Sequence, residues 1–350
     1  KINPNLNEAY YNLGNVLKQK IFSKPGKDLP EIIVQLLDKK KYVRPSAILP
    51  AVISLLRLDF GFKPILKSHL AKQLKQPLDD IIRSLSKISL LLKIMRVSPI
   101  PDLEIESLLT WLRSEILSKI SSLPNSEENL EFLSALALQC YTNEYIYSQS
   151  DKDIHALKKL ERDVLNTLKD GHQPSAVKVA CLACYKALHD YTWHNLLNIT
   201  DNLQELATRQ ISEFQQENIL RTEISILSEI KNDVSAKVRE QYEEYPYPRW
   251  VNLQLPILAK PVHEIAKEAN LKVIDHKIFE CMEPQILIAG CGTGQHSIQT
   301  ATRFKGCNVL AIDLSLRSLA YATRRTQELG ITNIHYMQAD ILDLAKLGRQ

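Results

Sequence analysis

Five residues near the carboxyl-terminal end of the sequence have types and a spacing suited to holding a nucleoside. Gly290, Gly292 and Gly294 alternate in a Gly-Cys-Gly-Thr-Gly run between a predicted strand and a predicted helix. Glycine has no Cβ atom, so a ligand can lie directly against the backbone of such a turn. Asp313 ends the next predicted strand, where a carboxylate can accept the hydroxyls of a ribose. Asp340 follows the third predicted strand, beside the same crevice, and suits the amino group of an adenine.

The residue after this run distinguishes two classes of nucleoside ligand. The dinucleotide fingerprint has a glycine at the position that Gln295 occupies here. That glycine brings the helix amino terminus close to a pyrophosphate, and a ligand without phosphate is free of this constraint. The spacing therefore favours a phosphate-free nucleoside over a nicotinamide dinucleotide.

Alternating strands and helices must position these residues. Strands are predicted at 285–289, 308–312 and 334–338, with helices between them that end near Phe304 and Leu329. A strand–helix–strand–helix–strand order predicts a parallel sheet with right-handed crossovers. The glycine run and both aspartates then lie at the carboxyl ends of neighbouring strands.

The order Gly-Cys-Gly-Thr-Gly, Ile-Asp-Leu-Ser, Gln-Ala-Asp resembles that of the Rossmann-like (class I) S-adenosylmethionine-dependent methyltransferases. The resemblance implies that the glycine turn lines the methionine portion of the cofactor, that Asp313 holds the ribose and that Ala339 and Asp340 flank the adenine. It implies S-adenosyl-L-methionine contacts from Gly290, Cys291, Gly292, Thr293, Gly294, Gln295, Asp313, Leu314, Ala339 and Asp340. The family usually has an acidic residue where this chain has Ile288, so another group would have to bind the methionine amino group.

An aromatic segment precedes the predicted sheet. The run Tyr-Glu-Glu-Tyr-Pro-Tyr-Pro-Arg-Trp at 242–250 resembles a segment that precedes the catalytic domain in bacterial proteins joining tetratricopeptide repeats to a methyltransferase. One hypothesis makes Tyr242, Tyr245 and Tyr247 a lid over the cofactor, with a ring near the sulfonium for a cation–π contact. The alternative is a stiff interdomain strap whose rings only pack. Tyr245 is included among the predicted cofactor contacts.

The chain before this segment has a helical pattern throughout. From 28 to 240, apolar residues recur at helical spacing and no strand is predicted. Near the start, Tyr10, Leu13, Gly14 and Leu17 lie on one helical face, and the segment resembles the first helix of a tetratricopeptide repeat, with Pro4 closing the preceding repeat. The alternative is an isolated amphipathic helix.

Four regions follow from these patterns. We predict a repeat remnant at 1–20, an α-helical domain at 21–240, an aromatic and proline-rich linker or lid at 241–260, and the first half of a methyltransferase domain at 261–350. Because such a sheet normally has seven strands and only three are predicted here, we expect the chain to end before the domain is complete. It also begins without Met, so we expect it to start inside a longer polypeptide.

Other residues that could do chemistry have structural interpretations. Cys181 and Cys184 have the spacing of a metal-binding or redox pair but lie on an apolar helical face, which favours the core. His189 and His194 lack a carboxylate at ligand spacing, which favours packing or surface roles. At Cys291, a small residue that fits the glycine turn is favoured over a nucleophile.

Composition limits the remaining classes. With 44 Lys and Arg against 40 Asp and Glu, the formal net charge of +4 gives no indication of a nucleic-acid partner. No apolar stretch is long enough to suggest a membrane partner. The six scattered cysteines suit a reducing compartment, and we predict a cytoplasmic location.

The sequence thus predicts a methyltransferase that acts on a protein, a glycan or a small metabolite. A protein partner could bind the repeat and helical region. Because the acceptor side of the site would lie beyond residue 350, we predict no catalytic residue and expect residues 1–350 alone to be inactive. The alternative is a repeat-containing scaffold whose methyltransferase-like domain is inert or only senses cofactor.

Overall fold

The computed structural model describes residues 7–348 apart from positions 245 and 275. The chain divides into two compact units. The first extends to Phe214 and includes Trp250–Asn252, and the second consists of Gln215–Arg249 and the residues from Leu253 onward. The corresponding limits predicted from the sequence are 240 and 260.

The first unit is helical. Its helices are α1 (Asn7–Leu17), α2 (Leu29–Asp38), α3 (Leu49–Leu56), α4 (Phe62–Leu70), α5 (Leu78–Ser86), α6 (Ser89–Val97), α7 (Leu103–Lys119), α8 (Glu127–Thr142), α9 (Asp151–Lys169), α10 (Ala176–Ala183) and α11 (Gln204–Ala207). Short 3-10 turns lie at Pro45–Ile48, Leu188–Asp190, His194–Leu196 and Asp201–Leu203, and a π-helical turn at Thr208–Ser212 leads to α12 (Glu213–Glu223), which crosses into the second unit.

Helix α8 lies at the centre of this unit and packs against α5, α6 and α10. Its residues from Asn129 to Thr142 are buried except Glu131, which removes the amphipathic pattern of a surface helix. Helices α5 and α6 are separate, because Ile88 between them leaves the helical region with φ −94° and ψ 85°. Cys181 and Cys184 are buried in this core, as predicted, and burial raises the pKa of the Cys181 thiol to about 12.

Helix α1 packs into the same core. The Tyr10 ring stacks on Tyr42 with 6.0 Å between centroids, and a Cβ at Gly14 would lie 3.0 Å from the Tyr42 carbonyl oxygen. A residue without a side chain permits this close approach of α1 to the segment around Tyr42. The repeat assignment stays a prediction, and Pro4 lies outside the described residues.

The second unit contains a four-stranded parallel sheet. Its strands are β1 (Ser225–Ile226), β2 (Gln285–Ala289), β3 (Asn308–Asp313) and β4 (Ile334–Gln338), in the order β1-β4-β3-β2. Its helices are α12, α13 (Asp233–Glu244), α14 (Val262–Glu268), α15 (Gln295–Arg303) and α16 (Leu316–Glu328), with 3-10 turns at His276–Glu280 and Ile341–Leu347. The three predicted strands are β2, β3 and β4.

Strand β1 corrects the predictions that the sheet has three strands and that no strand lies between 28 and 240. Ser225 and Ile226 pair in parallel with Met337 and Gln338 of β4. Two residues are too few to show the alternation that identifies a strand, so the pairing is decided by the distant β4. Helix α12, which precedes β1, is joined to α16 by Glu217. The Glu217 carboxylate accepts from the buried Arg324 guanidinium at 2.8 Å.

Strand β2 lies at the edge of the sheet and, within the described residues, pairs with β3 from Gln285↔Asn308 to Ala289↔Ile312. Leu287 on this strand is 47% exposed. Helices α15 and α16 pack on β3 and β4 over a small apolar core. In the described part of the chain, no helix is long and apolar enough to cross a membrane.

Candidate functional site

The glycine turn after β2 is fixed to the end of β3. The backbone N–H groups of Gly290 and Cys291 both donate to the Ile312 carbonyl oxygen at 2.9 Å. Gly290 and Gly292 have φ values of +73° and +52°, which residues with side chains rarely adopt, and the space beside each is open. The turn therefore presents bare backbone to whatever occupies that space.

Gly294 has a different role from the other two glycines. It has φ +83°, and a Cβ there would lie 2.6 Å from the Ala322 Cβ and 2.9 Å from the Tyr336 hydroxyl. Both distances are shorter than the non-bonded contacts that Cβ atoms make in proteins. Gly294 thus allows the start of α15 to approach α16 and β4, and it does not line the pocket described below.

Asp313 connects the ends of three strands. Its Oδ2 accepts the N–H of Gly292 at 2.7 Å, its Oδ1 accepts the N–H of Ser315 at 3.0 Å, and its carbonyl accepts the N–H of Ala339 at 3.1 Å. Burial raises the pKa of the Asp313 carboxyl, and the negative charge of Glu243 adds to this, while the backbone donors oppose it.

A pocket of about 300 Å³ opens at the carboxyl ends of β2, β3 and β4. Its volume lies at the lower end of the range for small-molecule sites, and its place in the sheet is where open α/β folds bind ligands. The lining residues are Val238, Tyr242, Tyr247, Gly290, Gly292, Asp313, Leu314, Ser318, Ala339 and Ile341. Of the predicted contacts, the structure thus brings together Gly290, Gly292, Asp313, Leu314 and Ala339.

The other residues predicted from the glycine run lie outside this lining. Cys291 is buried in the small core, and burial raises the pKa of its thiol well above the ordinary value, which disfavours the thiolate form that a nucleophile needs. Thr293 is buried, and its hydroxyl donates to the Pro248 carbonyl oxygen at 3.0 Å. Gln295 is the first residue of α15.

Asp340 and Tyr245 complete the set of predicted contacts. Asp340 is buried, and its Oδ1 accepts the N–H of Leu342 at 3.0 Å, which caps the 3-10 turn that follows. Its carboxylate does not line the pocket, whereas the neighbouring Ala339 and Ile341 do. Tyr245 lies outside the described residues.

Sequence reasoning missed Val238, Ser318 and Ile341 as lining residues. Ser315 caps α16 by accepting the N–H of Ser318 at 3.1 Å, so the Ser-x-x-Ser spacing was a local signal for this corner. Gln338 also contributes: its side-chain amide donates to the Leu314 carbonyl oxygen at 2.7 Å and fixes the loop after β3.

Ile288 is 7% exposed and packs in the small core. At the position where the resembled family usually has an acidic residue, this chain therefore has a core side chain. Elsewhere, the described residues contain no group of three or more His, Cys, Asp and Glu side chains able to hold a metal ion.

The parallel sheet and the helices beside it define an α/β domain with a pocket at its glycine turn. Residues 286–350 match a family model described as a methyltransferase domain. The chain is also 40% identical over 65 residues to an uncharacterized protein of Synechococcus sp., covering 18% of this chain and 16% of that protein. It is 34% identical over 73 residues to a tRNA (guanine-N(7)-)-methyltransferase of Rubrobacter xylanophilus, covering 21% of this chain and 33% of the relative.

These alignments span a third or less of the relatives' own lengths. No solved structure matches the chain. The comparisons support a methyltransferase domain in the carboxyl-terminal part of the chain.

Proposed function

We propose that residues 285–348 form the cofactor-binding part of an S-adenosylmethionine-dependent methyltransferase. The observation that carries the proposal is the pocket lined by Gly290, Gly292 and Asp313, within the segment that matches the methyltransferase domain model. A phosphate-free nucleoside suits this pocket because Gln295 replaces the glycine of dinucleotide sites.

Asp313 fits the role of ribose acceptor. Each carboxylate oxygen accepts one backbone N–H, but an ionised carboxylate has about four acceptor positions, so it can also accept from ribose hydroxyls. The two backbone bonds hold the carboxylate in one orientation before the ligand arrives. Leu314, Ala339 and Ile341 supply an apolar surface for the adenine ring.

The open glycine turn would face the methionine portion, since Gly290 and Gly292 leave free space beside their backbone. The packed Ile288 side chain cannot bind the amino group, so that contact falls to another group of the site. When bound, the cofactor supplies a methyl group activated by a positive sulfur. The chain's contribution is to orient it and exclude water.

Tyr242 and Tyr247 support the lid hypothesis over the packing-only alternative. Both line the pocket. Tyr242 is 41% exposed and Tyr247 is 58% exposed, so their rings are not buried in a hydrophobic core. An aromatic face near a sulfonium cation gives a favourable electrostatic contact.

The acceptor is a protein, a glycan or a small metabolite, and the helical unit is the surface for a protein partner. The name of the Rubrobacter relative states tRNA guanine as its target, but the alignment to this chain covers only a third of that relative. The six scattered cysteines suit the reducing compartment of the proposed cytoplasmic location.

A radiolabelled methyl-transfer assay of the full natural chain against cell extract tests the proposal. Label transfer by the wild type, abolished by Asp313→Ala, is expected. Cofactor binding without transfer to any extract component favours the second candidate, a cofactor-sensing scaffold, which the core position of Ile288 supports. Absence of cofactor binding contradicts the proposed enzyme and the cofactor-sensing scaffold, and leaves a scaffold whose methyltransferase-like domain is inert.

A further inference from the structure

The wall of the pocket outside the matched segment is helix α13. Val238 and Tyr242 lie four residues apart on this helix, on one face, and both line the pocket. Residues 246–248 follow the helix, and Tyr247 lines the pocket as well. The position of this wall depends on how the end of α13 is held.

The end of α13 and the start of α16 cap each other. The guanidinium Nη1 of Arg317 donates to the carbonyl oxygens of Glu243 at 3.1 Å and Glu244 at 3.3 Å. In return, the Glu243 Oε1 accepts the backbone N–H of Arg317 at 3.2 Å. Terminal carbonyls of one helix and a terminal N–H of the other, which lack partners within their own helices, are satisfied together.

A fourth bond joins the same part of the chain to α13. The Ser315 hydroxyl donates to the Tyr242 carbonyl oxygen at 3.1 Å, while the Ser315 backbone N–H donates to Asp313. The loop that fixes the proposed ribose acceptor thus also holds the last turn of α13. Movement of α13 would therefore displace Ser315 and its bond to the Asp313 carboxylate.

The charge of Arg317 is unusual for its position. It is the second residue of α16, where the positive end of the helix dipole disfavours a cation. The Glu243 carboxylate offsets this, and its other oxygen lies 3.1 Å from a guanidinium nitrogen of Arg221. A lysine or glutamine at position 317 could not donate hydrogen bonds to both carbonyl oxygens from a planar guanidinium.

The residues after α13 are held at a second point. The Thr293 hydroxyl, in the glycine turn, donates to the Pro248 carbonyl oxygen at 3.0 Å. Tyr242 and Tyr247 therefore lie between an attachment to the loop after β3 and an attachment to the turn after β2. Both attachments are made to the loops that line the pocket.

We propose that Arg317 is a positioning residue that holds the α13 wall, with Tyr242 and Tyr247, against the pocket and so sets how long the nucleoside ligand stays bound. The inference rests on the proposed function, because the ligand is taken to be S-adenosylmethionine or its product S-adenosylhomocysteine. Arg317 acts through the wall and does not itself line the pocket.

The test is the dissociation rate of S-adenosylhomocysteine from the full natural chain, measured by stopped flow, together with amide hydrogen exchange over residues 238–244. In Arg317→Gln we expect dissociation about tenfold faster, because bonds from a charged donor are lost. Exchange over 238–244 accelerates in parallel. Arg317→Lys gives an intermediate rate, since a cation is kept but the planar grip is lost.

Arg325→Gln is the matched control, because Arg325 pairs with Glu328 near the end of α16, so its loss weakens the helix away from the end that Arg317 caps. It lowers the melting temperature and leaves the dissociation rate within about twofold of the wild type. If Arg317→Gln does not fold, the Lys variant decides, with at least about threefold faster dissociation expected.

An unchanged dissociation rate in the Arg317 variants, with normal binding by the wild type, overturns the inference and leaves the proposed function intact. Equal acceleration by Arg325→Gln also overturns it, because the effect would then follow helix stability alone. A wild type that binds no S-adenosylhomocysteine overturns the proposed function and this inference with it.

Discussion

The Asp313 carboxylate accepts the backbone N–H of Gly292 at 2.7 Å, which joins the end of β3 to the glycine turn after β2. The same side chain accepts the N–H of Ser315, so one carboxylate fixes two loops of the pocket. Its removal is therefore expected to affect both the loops and the ligand.

Asp313→Ala removes the acceptor of both backbone donors and of the proposed ribose hydroxyls. Each bond to a charged group is worth about 1.5–3 kcal/mol, so we expect S-adenosylmethionine affinity to fall at least about 100-fold in calorimetric titrations. Asp343→Ala is the control, because this carboxylate binds Ser228 and Lys346 and does not line the pocket. Equal losses in the two variants would contradict a specific role for Asp313.

The raised pKa of Asp313 predicts weaker cofactor binding in acid. Ribose hydroxyls donate to the ionised carboxylate, so affinity is full above the raised pKa and falls about tenfold per pH unit below it. Glu243→Gln removes a nearby negative charge that raises this pKa, so the fall should shift to lower pH. Binding titrations from pH 4 to 8 measure both curves, and a profile that Glu243→Gln leaves in place would contradict the assignment.

The raised pKa of Asp313 has the opposite pH effect on the folding stability of the domain without ligand. Because folding raises the pKa of Asp313, its protonated form is favoured in the folded domain. Its contribution to stability is present below the unfolded value and is lost as the pH rises through the folded value. Cofactor should therefore raise the melting temperature more at neutral pH than at pH 4, and a larger rise at pH 4 would contradict this.

Gly294→Ala tests the packing role of the third glycine. The substitution combines a left-handed backbone with a Cβ 2.6 Å from Ala322, and we expect a loss of roughly 2–4 kcal/mol in the free energy of unfolding. Gly330→Ala is the control, because Gly330 has φ +69° but nothing within 4 Å of the added Cβ, so only about 1 kcal/mol of backbone strain remains. Denaturant titrations compare them, and equal losses would show that the contact with Ala322 is unimportant.

Ile288→Asp tests whether the missing family carboxylate can simply be restored. Because Ile288 is a core side chain, the variant buries an unpaired charge, and we expect a loss of about 3 kcal/mol or more in unfolding free energy without a gain in cofactor affinity. Ile288→Val should cost only about 1 kcal/mol. A stable Asp variant with tighter cofactor binding would show that position 288 reaches the ligand.

The sequence predicted the parts of the second unit that are specified locally. Strands β2, β3 and β4 and the glycine turn are recognisable because apolar runs and positive-φ glycines depend on adjacent residues. Strand β1 was missed because its two residues become a strand only by pairing with Met337 and Gln338, far along the chain. Tertiary pairing of this kind leaves no local pattern.

The site was predicted in part for the same reason. Gly290, Gly292 and Asp313 follow from spacing, whereas the packing role of Gly294 depends on Ala322 in another helix. Val238 was not predicted as a pocket residue, because the sequence around it indicates only a helix. Its place beside the pocket depends on the bonds between α13 and the distant Arg317.

Equilibrium titration of the full natural chain with S-adenosylmethionine tests the central claim most directly. We predict saturable binding at one site, with S-adenosylhomocysteine competing for it and NAD failing to compete. The reason is that Gln295 stands where the last glycine of a pyrophosphate-binding turn would be. Absence of binding, or displacement by NAD, would contradict the assignment of this pocket.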